Sequence, residues 1–182
     1  FFGNTLLRNN YQNEIHVKSS SMKSQIPFIA NLGQFDDQVK FFAKTAGGSA
    51  FVTKTGEIVY LFNDIANKYA IAIKERVGCS DADAIVGEEE AVSKINYFYG
   101  HKKDKWKTNI PAFQTVNMGD LYQGIEVKLK AYNHNIEKIF TIHPGAAPED
   151  IKVTIEGTDN LVINENGELE LKTEIGIVSF TK

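Results

Sequence analysis

In its second half the chain alternates apolar and polar positions in short runs separated by turn formers. In residues 124–131, GIEVKLKA, the side chains of Ile125, Val127, Leu129 and Ala131 fall on one side of an extended strand, with Glu126, Lys128 and Lys130 on the other. That pattern predicts an antiparallel sheet with one solvated face. Asn133, His134 and Asn135 suit a reversal into a further strand over 136–142, and His143, Pro144 and Gly145 form a turn. Pro148, Glu149 and Asp150 open a short helical or turn segment, after which Ile151, Val153 and Ile155 restore the period of two. Residues 157–160 turn the chain into Leu161, Val162 and Ile163. Asn166 and Gly167 then give a strong hairpin signal toward Leu169 and Leu171, before a last apolar pair, Ile177 and Phe180.

The first half carries the same signals more weakly. Residues 1–24 mix isolated apolar positions with Asn, Gln, Ser and Lys and read as a flexible arm or edge extension, in which a short helix over 5–11 remains open. Strands are expected at 28–30, 39–42, 49–53 and 58–62, punctuated by a turn at 31–34, by Gly47 and Gly48, and by Lys54, Thr55 and Gly56. Residues 69–74 read as a strand with Tyr69, Ile71 and Ile73 on one face and alanines free to meet a second layer. Residues 78–90 are polar, acidic and glycine-punctuated, the pattern of a long surface loop. The aromatic run 95–99 is too apolar for such a loop, and Ile110 before Pro111 must be extended. Ten to twelve short strands emerge. They predict a mainly β fold, a two-layer antiparallel β-sandwich-like domain with little helix, formed by residues 25–182 as one module. The start at Phe1, Phe2 and Gly3 suggests a piece of a longer protein.

Composition narrows the function classes. With 182 residues, 42% of them apolar, the chain can bury a core without covalent staples. Its 20 Lys and Arg are offset by 23 Asp and Glu, giving a net charge of -3 with no concentrated basic arm, so nucleic acid is not an expected partner. Cys79 stands alone, which excludes an intramolecular disulfide, and no apolar run reaches the roughly 18 residues of a membrane span.

Candidate chemistry is sparse. His16, His101, His134 and His143 are scattered, and no catalytic residue or cofactor is expected. Asp81, Asp83, Glu88, Glu89 and Glu90 are weak calcium candidates, weighed against an ordinary solvated acidic loop. Asp120, Glu126 and Glu137 supply carboxylates, but acids on alternating strands usually face water. Trp106 draws most interest, with Lys107 beside it and Tyr97 and Tyr99 nearby. Such a group plugs one end of the sandwich, anchors a protein contact, or stacks on a sugar.

Several ordered segments carry a family resemblance: 28–34 (FIANLGQ), 38–41 (QVKF), 95–100 (INYFYG), 106–113 (WKTNIPAF), 121–127 (LYQGIEV), 143–146 (HPGA) and 166–169 (NGEL). Together they resemble the amino-terminal domain of bacterial extracellular proteins carrying SBBP (beta-propeller) repeats, over roughly residues 26–180. The chain departs from that pattern at Gln123, where proline is common, and in 136–140, which lacks a frequent aromatic. The resemblance implies a noncatalytic structural or domain-presenting module of an extracellular or cell-surface protein, whose partners are neighbouring domains of the same polypeptide or another surface protein. The alternative is a carbohydrate-binding or adhesive module whose exposed aromatics take a glycan.

Overall fold

The structure, a computed structural model, describes residues 24–64, 69–78, 82–98, 100–101, 103, 106–133, 135–158 and 160–180. The expected arm, its helix at 5–11, and Cys79 therefore lie outside the described residues, apart from Ser24, whose carbonyl accepts the Asn133 N–H at 3.1 Å. Sixteen strands are described. The first six are β1 (Gln25–Ile26), β2 (Phe28–Ala30), β3 (Val39–Lys44), β4 (Ser49–Thr53), β5 (Glu57–Asp64) and β6 (Tyr69–Val77). Next come β7 (Val86–Glu90), β8 (Ile95–Tyr97), β9 (Lys107–Ile110), β10 (Ala112–Tyr122), β11 (Ile125–Tyr132) and β12 (Ile136–Ile142). The last four are β13 (Val153–Glu156), β14 (Asn160–Ile163), β15 (Leu169–Thr173) and β16 (Gly176–Phe180). Single 3-10 turns occupy Ala82–Ala84 and Pro148–Asp150, the latter where the sequence predicts it.

Eleven strands form one antiparallel sheet in the order β1-β11-β10-β2-β3-β4-β5-β6-β13, with β12 paired to β11 and β7 to β10. Phe41 and Ala43 of β3, Val52 of β4, Ile58 of β5 and Val77 of β6 share one buried cluster with Val116 and Met118 of β10 and Val127 and Leu129 of β11. Strands far apart in the sheet order thus meet face to face. The sheet folds over on itself, and its two halves form the two layers. This is a mainly β, sandwich-like domain with little helix, as the alternation predicts. Two small sheets complete it, the β8–β9 hairpin and the three-stranded β14-β15-β16.

The segment at β11 behaves as its pattern requires. Ile125, Val127, Leu129 and Ala131 are fully buried, and the intervening residues are half-buried on the outer face. Strand β12 returns antiparallel beside β11, with Ala131 opposite Ile136, and His134 lies outside the described residues. Gly56 (φ 80°) makes the β4–β5 turn, a conformation that costs a side-chain-bearing residue and costs glycine little. In β10 the register shifts between Asn117 and Asp120, where Gly119 (φ 79°) forms a bulge closed by its N–H on Asn117 Oδ1 at 2.8 Å.

Two expectations need correction. Residues 86–90 are a strand, β7, because the free edge of β10 offers backbone partners there: Glu90 pairs with Phe113, Glu88 with Thr115. Ala70 and Ala72 of β6 are exposed and meet no second layer, since Ile73, Glu75 and Val77 form the inward face. The described strands also outnumber the ten to twelve expected, because several are only two to four residues long.

Candidate functional site

The inward faces of β6 and β12 each carry one charge in an apolar series. In β6 it is Glu75, between Ile73 and Val77 and 1% exposed; in β12 it is Lys138, between Ile136 and Phe140. The fold sets them together across the two layers: Lys138 Nζ lies 2.9 Å from Glu75 Oε1 and donates to Oε2 at 3.0 Å. Tyr60 of β5 donates its hydroxyl to the same Oε2 at 2.8 Å. The Lys138 ammonium also sits over the Phe180 ring, 4.6 Å from its centroid, and Phe180 meets Tyr60 edge-on at 6.0 Å. Burial, followed by the negative charge of Glu75 and the hydrogen bond to it, holds the Tyr60 hydroxyl well above the usual tyrosine pKa.

Beside this clasp the layers leave a cleft of about 460 Å³. Tyr60 and Phe62 of β5, Ile73 of β6, Phe140 of β12 and Phe180 of β16 line it, together with Thr45, Ser49, Asn135 and the charged residues Glu137 and Lys138. Apart from the carboxylate of Glu137, none of these residues is among the functional candidates that the sequence suggests. The available signal is phase: Glu75 falls in step with Ile71, Ile73 and Val77, and Lys138 with Ile136, Phe140 and Ile142, so each charge sits on a face predicted to be buried.

The group expected around Trp106 is divided by the β8–β9 hairpin. Tyr97 packs edge-on against Phe35 at 5.8 Å, in a cluster where Phe35 also meets Phe42 at 4.6 Å and Phe51 at 5.7 Å. Asn31 places Phe35 there by knotting the preceding turn, donating to the Asp36 and Val39 carbonyls and accepting from the Gly33 and Phe35 N–H groups. Trp106 does not join the buried core as an end plug. It is half-buried, edge-on to Phe98 at 5.1 Å, with its indole N–H on the Gly100 carbonyl at 3.2 Å and the Lys103 ammonium 6.0 Å from the ring centroid. Phe98 is 60% exposed, so the tip presents an aromatic pair to solvent. Lys107 lies beside Gly33, and Tyr99 is outside the described residues.

The acidic candidates do not converge. Asp83 sits in the exposed 3-10 turn, and Asp81 is outside the described residues. Glu88 joins an outer-face network: Asn117 donates to Glu88 at 2.8 Å and to Glu126 at 2.8 Å, and Lys128 donates to Glu88 at 2.9 Å. Those bonds from Asn117 and Lys128 lower the Glu88 pKa, and the bond to Glu88 raises that of Lys128. Glu90 pairs with Lys94, while Glu89 is exposed with φ 56°. Among the described residues no three His, Cys, Asp or Glu side chains form a metal-holding group.

A third surface belongs to the C-terminal sheet. Pairing of β14 with β15 and of β15 with β16 puts Leu161, Ile163, Leu169, Leu171, Val178 and Phe180 on one face. Leu171 and Phe180 pack inward, but β14 overhangs at the end of the strand order, leaving Leu161 45% and Ile163 73% exposed. On the opposite face Val162 and Ile177 are exposed as well.

The chain belongs to the DUF7948 family, described as a domain of unknown function, whose model matches residues 28–182. No curated protein and no solved structure matches it. No helix among the described residues is long and apolar enough to cross a membrane.

Proposed function

We propose that this member of the DUF7948 family is a noncatalytic module of a surface or secreted multidomain protein, which spaces, caps or presents neighbouring domains. The observation that carries the reading is the β14 edge. An edge strand, paired among the described strands on one side only, with Leu161, Val162 and Ile163 exposed, is a docking edge, because an added strand satisfies its outer backbone groups and covers its side chains together. The Phe98–Trp106 pair, in which Phe98 is exposed and Trp106 half-buried, is a second contact point of the aromatic kind that anchors protein interfaces. The inner charges support a structural reading: both Glu75 oxygens are engaged by Lys138 or Tyr60, leaving that carboxylate committed to holding the layers. The extracellular setting rests on the resemblance to SBBP-repeat proteins.

Crosslinking in the full-length precursor tests the reading. Crosslinks from positions flanking β14 to a neighbouring domain or a surface partner are expected, and protease added to intact cells should reach the domain. Reproducible substrate turnover by the isolated domain, or retention of the precursor in the cytoplasm, would overturn it.

A further inference from the structure

We infer that the cleft between β12 and the β4–β6 layer is a binding site for a short neutral saccharide, a function independent of the domain-presenting role. Its volume of about 460 Å³ lies inside the roughly 300–1,000 Å³ range of small-ligand pockets. Tyr60 and Phe62, two positions apart on β5, project to the same face with rings 19° from parallel and centroids 6.4 Å apart. Both residues are half-buried, so two nearly parallel aromatic rings stand in the wall of the cleft. A pyranose ring fits against an aromatic ring of such a wall: its C–H face meets the π-surface while its hydroxyls, directed around the ring's edge, reach hydrogen-bonding groups. Thr45, Ser49 and Asn135, which also line the cleft, supply those groups.

Charge selects a neutral ligand. Lys138 is the basic residue lining the cleft, and its ammonium is engaged by both Glu75 oxygens and by the face of Phe180. An anion could capture it only by leaving the buried Glu75 carboxylate without its partner, which is costly; Glu137 lines the cleft as well, so the two charged residues of the lining offset each other and leave no net charge for an ionic ligand. An acyl chain requires continuous apolar lining, whereas this cleft carries an ammonium and a phenol among its rings. A neutral polyhydroxylated ring needs neither a free charge nor a dry tunnel.

Titration calorimetry of the purified domain tests the site, with cellohexaose, laminarihexaose and maltohexaose as neutral probes, hexagalacturonate as the acidic probe and decanoate as the apolar one. At least one neutral oligosaccharide is expected to bind. Phe62→Ala should weaken it about tenfold or more, Phe62→Trp should restore it, and Trp106→Ala should leave it unchanged. Phe62→Leu, which keeps apolar volume but removes the flat ring, should behave like Phe62→Ala and serves if that variant fails to unfold cooperatively. Unchanged affinity in a folded Phe62→Leu protein, loss confined to Trp106→Ala, preference for hexagalacturonate or decanoate, or silence toward all three neutral probes would each overturn the inference.

Discussion

At the scale of single residues, the Glu75–Lys138 pair joins the two layers with one contact that neither layer can make alone. Both side chains are withdrawn from water, with 1% of the Glu75 side chain and 15% of the Lys138 side chain exposed, so their worth lies mainly in what happens when one partner goes. Lys138→Ala should destabilise the domain by about 3 kcal/mol, since it strands a buried carboxylate. Glu75→Leu combined with Lys138→Met should recover most of that loss, because apolar residues of similar size leave nothing to satisfy. Urea unfolding of Glu75→Leu, Lys138→Met and the double variant measures the coupling. Tyr60 adds a pH signature. Its folded pKa is raised, so its contribution is complete below the unfolded tyrosine value of about 10 and is lost as pH rises through the folded value. Tyr60→Phe should flatten the alkaline limb of the stability profile relative to the parent protein, measured by circular dichroism across that range.

At the scale of elements, legibility followed where the partner lay. Strand β11 could be read directly, because its alternation encodes which face is buried without reference to any neighbour. Strand β7 could not: Val86, Gly87 and three glutamates look like loop residues, and what makes them a strand is the vacant edge of β10 together with Lys128 and Asn117, which take up Glu88. The β6 alanines were misjudged for a related reason, since alternation gives two faces but not which of them is covered. Glycine at 157 shows how closely elements approach: at φ 90° an added Cβ would stand 2.2 Å from the Ala72 carbonyl oxygen, where β13 meets β6. Gly157→Ala should therefore cost more than the ~1 kcal/mol of left-handed backbone strain alone. Faster hydrogen exchange localised to the amides of β13 and β6 would register it; unchanged exchange there would mean that the chain has room to shift.

Across the whole molecule, strand content and layering were legible, but the path of the sheet was not. No local pattern says that β2 joins β10 on one side and β3 on the other, and that junction is what bends one sheet into two facing halves. The cleft is a product of that bend. Its walls come from β4, β5, β6, β12 and β16, segments separated by more than a hundred residues, so a charge out of place in two separate strands was the sequence's sole trace of it. The Trp106 surface was legible as chemistry, yet its division between the Phe35 cluster and the hairpin tip depends on contacts made by residues 31–35, far upstream.

The edge position of β14 has a colloidal consequence. Its sequence, Asn160, Leu161, Val162 and Ile163, is short, uncharged and rich in β-branched residues, a combination that serves as a template for any extended chain when nothing covers it. Concentrated solutions of the isolated domain should therefore scatter light increasingly with time, at a rate that rises with protein concentration. Val162→Lys should suppress that growth while moving the unfolding midpoint little, because the substituted side chain is already in solvent. Light scattering followed alongside thermal unfolding separates the two effects. The same four residues would then set the practical limit on how long the isolated domain stays dispersed in solution.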